Sequence, residues 1–367
     1  MRSKTLKGRK RGIPDGAGFV AIRSVSTLTA ISQRLGIQES VLGSAAAAGS
    51  LVAIAALVRL LRSSERIKGG EGRIVLVTGC DTGFGPVIAT QLAQRGFTVY
   101  AGCLTQEGIS RIRALGLANL RAVEMDVTRD DHVNAVKTLI EKEAAEGVFA
   151  VVNNAGVFAA YKWELSSMDA IRRDVEVNYL GVVRVSKAFL PLLRKFAASP
   201  RAASFKPRIV TISSAAGTQK SSPLGSYMSS KHAVQAFSAT LRQEIRAQGI
   251  LYSSIEPGVA NTPIVAPSFV SQKKIDDIIA GNPPDILALY GGETEIRRKM
   301  ALSGIHTKVQ SMMPAQMVVD AVVEQVELAV PVLNVHVGFE AKLLIFMSTY
   351  LPASWMDQFA IDLDNSI

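Results

Sequence analysis

The sequence predicts an α/β fold: a doubly wound parallel sheet with helices on both faces, preceded by an N-terminal membrane-anchor helix. Three observations predict it. From residue 73 onward, short apolar runs alternate with longer amphipathic stretches, the pattern of repeated βαβ units. The first of these runs closes in a glycine turn, Thr78-Gly-Cys-Asp-Thr-Gly-Phe-Gly85. Ahead of both lie 18 uncharged residues, 41–58, which as a helix reach about 27 Å at roughly 1.5 Å per residue, enough to cross a bilayer.

In chain order, residues 1–40 form a basic N-terminal segment rich in Arg, Lys, Ser and Gly. Residues 41–61 are read as the transmembrane or membrane-anchor helix; their Ala, Gly and Ser content also suits a helix packed on protein. Arg59, Arg62, Arg66, Lys68 and Arg73 crowd the downstream flank, which favours a cytosolic catalytic body. The tail is basic as well, and its acid-poor, Arg- and Ser-rich start also suits a mitochondrial presequence. The catalytic domain is read over 73–330. Within it 73–78 is a buried strand and 86–94 a helix with Pro86 in its first turn. Residues 98–103, 120–126, 149–153, 208–213 and 251–256 read as further strands, and 130–143, 169–195 and 227–248 as helices. Residues 331–367 form a C-terminal apolar segment that covers the pocket or lies on a membrane.

Charge and composition exclude several classes. The formal charge is +10, but residues 1–72 hold 12 Lys/Arg against 4 Asp/Glu, leaving 29 against 27 for the rest. A nearly neutral body is no nucleic-acid reader. Two cysteines rule out a disulfide framework, and four scattered histidines offer no metal-ligand spacing.

The ligand of such a sheet sits beyond the carboxyl ends of its strands. Gly79, Gly83 and Gly85 let the backbone approach a pyrophosphate, which the next helix meets with its N-terminal N–H groups. Asp81, Thr82 and Phe84 complete that turn; a purely structural glycine turn is the alternative. Asp126 and Val127 end a strand and suit an adenine edge, while Asn154, Ala155 and Gly156 suit packing against a ribose. Asp81 and Thr82 in the loop, with no base among residues 102–106, favour NAD over NADP.

The chemistry is read from Ser226-Tyr-Met-Ser-Ser-Lys231 and Ser214. Lys231, one helical turn after Tyr227, would set a cation beside the phenol and lower its pKa, making Tyr227 a general acid and base. Ser214 would hold the substrate oxygen, and Asn178 a water that relays protons from Lys231. Alone, each has an ordinary structural reading; joined to the glycine turn they describe a hydride-transfer site.

These motifs resemble the short-chain dehydrogenase/reductase family over roughly residues 73–357. Thr-Gly-x-x-x-Gly-x-Gly, Asn-Asn-Ala-Gly, the helix Asn, the Ser and Tyr-x-x-x-Lys all match, as does Pro257-Gly-Val-Ala-Asn-Thr262. The resemblance implies a Rossmann-like sheet and a nicotinamide cofactor touching Tyr227, Lys231, Pro257, Gly258, Val259 and Thr262. The phrases Ala101-Gly-Cys-Leu-Thr105 and Gly338-Phe-Glu-Ala-Lys-Leu-Leu are similar to those of the retinol, 17β-hydroxysteroid and 3-hydroxybutyrate dehydrogenase branch. That branch implies a lipophilic alcohol or ketone as substrate, NAD, and an endoplasmic reticulum membrane with the catalytic domain cytosolic. Self-association into a homo-oligomer is left open. The alternative is mitochondrial 3-hydroxybutyrate oxidation, for which Lys162 and Lys220 are the candidate cations; a non-catalytic dinucleotide-binding protein is a third reading. Residues 262–313 hold the family's substrate lid, with Phe269, Val270, Ile278, Ile279, Leu287, Leu289 and Tyr290 as its apolar face, joined by Phe158, Tyr161 and Trp163. Residues 196–206 look like an insertion.

Overall fold

The structure, a computed structural model, describes residues 64–220, 222–262, 272–302 and 313–365. The basic segment, the anchor at 41–61 and the lid residues Phe269 and Val270 lie outside the described residues. Among the described residues no helix is long and apolar enough to cross a membrane.

The body begins with β1 (Ile74–Thr78), whose five residues are all buried, as a strand covered on both faces requires. Then come α1 (Phe84–Gln94), β2 (Thr98–Cys103), α2 (Gln106–Ala114), β3 (Leu120–Glu124), α3 (Asp130–Glu143) and β4 (Ala150–Asn153). Next, α4 (Met168–Val175) passes through a π-helical turn, Glu176–Leu180, into α5 (Gly181–Ala197). The second half adds β5 (Arg208–Ile212), α6 (Gly225–Arg246), β6 (Leu251–Pro257), α7 (Gln272–Ala280), α8 (Pro284–Leu289) and α9 (Gly292–Leu302). The chain then forms α10 (Ala315–Glu327), β7 (Asn334–Val337), α11 (Phe339–Tyr350) and α12 (Ala353–Asn365).

Seven strands make one parallel sheet in the order β3-β2-β1-β4-β5-β6-β7. The order reverses between β1 and β4, and the crevice at that switch point is where ligands of such sheets bind. One core layer packs Ile88 and Leu92 of α1 and Val318 and Val322 of α10 against Val75 and Val77. The other packs Val136 of α3, Phe189 of α5 and Leu241 of α6 against Leu76 and Val151. Alternate residues of β1 thus serve opposite layers, which is the sheet's period of two at work.

Several elements differ from expectation, among them these three. The helix read as continuous over 169–195 carries the π turn, a form that recurs at functional sites because it adds one residue to the ladder. Helix α2 has no apolar run to announce it; Thr105 caps it by accepting from Gly108 N at 3.0 Å. Strand β7 comes from the segment read as a C-terminal cover and pairs with β6, so the sheet runs past residue 330. It is four residues long and half exposed, too short for a periodic signal.

Candidate active site

Glycine makes the ledge at the switch point. Gly79 has φ +68°, and a Cβ there would lie 2.7 Å from Ala155 Cα, so the ends of β1 and β4 meet only because no side chain intervenes. A Cβ on Gly85 would fall 2.2 Å from Gly79 O. Asn154 Nδ2 donates to Thr78 O at 2.8 Å and Gly79 O at 2.9 Å, while Thr78 Oγ1 accepts from the N–H groups of Asn154 and Ala155 at 3.0 and 3.1 Å. No side chain caps α1 and no acid stands in its first turn, which leaves N–H groups there for an anion. A pyrophosphate fits this cradle.

Asp81 ties the glycine turn to the end of β2. Its carboxylate accepts from Leu104 N at 2.8 Å, Thr105 N at 2.9 Å and Thr105 Oγ1 at 2.7 Å. The sequence shows no acid at the end of β2; the structure brings one there from the neighbouring loop. Asp126 folds back on its own turn, accepting from Thr128 N and Oγ1.

A cavity of about 1330 Å³ opens on this ledge. Of the predicted site residues, Gly85 and Asn178 stand behind its wall and all the others line it. Asn178 is fully buried. Its Nδ2 donates to Val157 O at 2.9 Å and Ser230 Oγ at 3.0 Å, and its Oδ1 accepts from Val157 N at 2.8 Å. The side chain therefore braces the wall, with both Nδ2 protons engaged. A Cβ on Gly156 would sit 3.4 Å from Asn178 Oδ1 and 3.9 Å from Lys231 Nζ, so glycine there keeps the space before the lysine open.

Tyr227 and Lys231 share one face of α6. Lys231 is 5% exposed; its Nζ donates to Ile212 O at 3.1 Å and lies 5.7 Å from the Tyr227 ring centroid. Burial pushes the Tyr227 phenol up to about 12; a hydrogen bond with Ser214 opposes this and the Asp174 charge adds to it. Burial likewise pulls the Lys231 amine down to about 8. The phenol thus lies above its ordinary value, with burial as the largest cause, where a lowering by Lys231 was expected. Ser214 Oγ also accepts from Ala216 N at 3.1 Å, which orients its hydroxyl.

The apolar wall differs from the one expected. Val157, Phe158, Leu224, Met228 and Leu344 line the cavity. Ile278, Ile279, Leu287 and Tyr290 instead pack with Tyr161 and Leu165 in a cluster of their own. Leu289 and Trp163 are exposed. Lys162 lines a separate cavity of about 390 Å³, and Lys220 lines neither. One residue went unnoticed in the sequence: Asp174, fully buried, accepts from Ala159 N at 2.6 Å, Ala160 N at 3.2 Å and Ser226 Oγ. It stands four residues before Asn178 on the same helical face, the one signal that pointed to it.

Comparison with known proteins agrees with this geometry. Residues 73–273 match the family model for short chain dehydrogenase. Estradiol 17-beta-dehydrogenase 2 of Mus musculus is 32% identical over 310 residues, 83% of this chain and 78% of that one. Retinol dehydrogenase 7 of Mus musculus is 31% identical over 85% of this chain and 94% of its own. Mitochondrial D-beta-hydroxybutyrate dehydrogenase of Mus musculus is 30% identical over 81% and 86%. A crystal structure of a short chain dehydrogenase from Burkholderia cenocepacia J2315 in complex with NADP shares the fold. Its TM-score is 0.57 at 21% identity, over 79% of this chain and 98% of that one.

Proposed function

The chain belongs to the short-chain dehydrogenase family, NAD(P)-dependent oxidoreductases acting on CH–OH groups, and we propose that it interconverts a lipophilic alcohol of the retinol or hydroxysteroid type and its carbonyl product, using NAD. One observation carries this reading: Ser214, Tyr227 and Lys231 converge on a largely apolar cavity that begins at the glycine ledge.

A nicotinamide dinucleotide, when bound, takes up or returns the hydride. Tyr227 takes the alcohol proton during oxidation and gives it back during reduction. Ser214, already hydrogen-bonded to the phenol, steadies the oxygen as its charge grows. Lys231 is held by Ile212 O at the same wall and supplies a cation while its amine is protonated. Asn178 keeps the loop after β4 in place. The ledge from Gly79 to Gly85 with Asn154, Ala155 and Gly156 would hold the pyrophosphate and ribose, Asp126 and Val127 the adenine, and Pro257, Gly258, Val259 and Thr262 the nicotinamide. The Asp81 charge at the end of β2 repels a 2′-phosphate and supports NAD over NADP.

Of the cations considered for a hydroxy acid, Lys162 and Lys220 do not line the cavity, though Arg172 and Arg173 do; its largely apolar lining favours the lipophilic substrate. The anchor at 41–61 and the exposed Phe339, Phe346, Tyr350 and Trp355 of α11 and α12 support a membrane-associated enzyme of the endoplasmic reticulum, with the mitochondrial membrane as the alternative. The test follows absorbance at about 340 nm with NAD and NADP against retinol, estradiol, androsterone and 3-hydroxybutyrate. Turnover of the hydroxy acid alone overturns the substrate assignment. Tyr227→Phe is expected to abolish turnover and leave cofactor affinity intact, since only the transferable proton is removed.

A further inference from the structure

We infer that Lys274 is a positioning residue, clamping helix α7 onto the wall segment 158–160 that seats Phe158 against Tyr227. The inference rests on Tyr227 being the acid and base of the site. Lys274 Nζ donates to Phe158 O and Ala160 O, both at 3.3 Å, and stands 4.3 Å from the centroid of the Phe158 ring. That ring meets the Tyr227 ring edge-on, with centroids 5.6 Å apart. From the other side, the buried Asp174 carboxylate takes the N–H groups of Ala159 and Ala160 and the hydroxyl of Ser226, the residue before Tyr227.

Three residues of backbone are therefore gripped between a cation on α7, which meets their carbonyls, and an anion on α4, which meets their amides. Both grips end at the tyrosine, one through the Phe158 ring and one through Ser226. A surface lysine would not look like this: Lys273 next to it is exposed and pairs with Asp277. Lys274 is partly dehydrated, and burial draws its amine down to about 8 while the Asp174 charge resists. An ammonium in such a place fits two carbonyls and a ring face at once, which a neutral side chain cannot do. Phe158 lines the cavity, so its seat sets the shape of the substrate side.

The test compares Lys274→Met and Lys274→Arg in the full chain by hydrogen exchange and by steady-state kinetics. Lys274→Met is expected to speed amide exchange at 157–161 and 272–280 by about tenfold and leave 84–94 unchanged. KM for the alcohol is expected to rise about tenfold, with kcat changed less than about threefold and NADH affinity kept. Lys274→Arg restores most of both. Unchanged exchange at 157–161 in Lys274→Met overturns the inference. Should Lys274→Met fail to fold, Lys274→Gln removes the charge while keeping a polar side chain and is read in the same way; unchanged exchange at 157–161 then overturns it. If the wild-type chain oxidises none of the alcohols, the proposed activity fails, while the exchange measurements still decide the clamp.

Discussion

Alanine at Gly83 and at Gly85 separates what the glycine turn does for the fold from what it does for the cofactor. A methyl carbon on Gly85 would stand 2.2 Å from Gly79 O and 2.7 Å from Asn154 Nδ2, where contacting atoms need roughly 3.5 Å. Neither neighbour is the loose end of a long side chain: one is backbone, and the other donates to Thr78 O and Gly79 O. Overpacking costs about 1–3 kcal/mol. Losing the two Asn154 hydrogen bonds costs about 1 kcal/mol each. Gly85→Ala should therefore lose about 3–5 kcal/mol, or about 5–8 °C in melting temperature. At Gly83 a Cβ would meet nothing within 4 Å, so only the backbone at φ 70°, ψ −133° resists, costing about 1–3 kcal/mol. Gly83 lines the cavity, however, and its new methyl would occupy the space of a bound pyrophosphate. Gly83→Ala should thus melt above Gly85→Ala yet bind NADH at least about tenfold more weakly than wild type. Thermal melts and NADH fluorescence titration measure both quantities. Wild-type NADH affinity in Gly83→Ala would refute the placement of the cofactor on this ledge.

Three further outcomes follow from buried charge. Because burial holds the Tyr227 phenol near 12, its base form grows with pH; alcohol oxidation should climb steadily from about pH 7 to 9.5 while carbonyl reduction does not. A pH-independent oxidation rate would argue against Tyr227 as the base. Arg208 on β5 is fully buried, donates to the carbonyls of Lys206, Gln325 and Leu328, and lies 4.7 Å from the Phe149 centroid. Arg208→Ala should cost about 3–5 kcal/mol in urea unfolding, since it leaves a void and unanswered carbonyls; a loss under about 1 kcal/mol contradicts that. Glu256, 3% exposed, has its carboxyl raised above 4.5 by burial, with His336 at 3.2 Å pulling it back. The folded chain therefore holds that proton more tightly than the unfolded one, and the stability this brings is lost as pH rises through the folded pKa. Glu256→Gln should gain on wild type in urea midpoint between about pH 4 and 7; a constant difference between the two sinks the argument.

Much of this protein was legible in the order of its residues, because those features depend on neighbours along the chain. The strand at 74–78 is apolar throughout since both its faces are covered, and Gly79, Gly83 and Gly85 follow where the backbone must turn without side chains. Tyr227 and Lys231 share a face because a helix repeats every 3.6 residues. Tertiary structure decided what depends on separate elements meeting. Asp81 reaches the end of β2 from another loop, and a four-residue β7 finds its place only beside β6. Lys274 and Asp174 lie 100 residues apart and meet at residues 158–160, a juxtaposition that no periodicity encodes. The balance at Tyr227 is likewise decided in three dimensions. Dehydration of a phenol is set by everything packed around it, and the Ser214 hydroxyl that opposes it comes from a separate element.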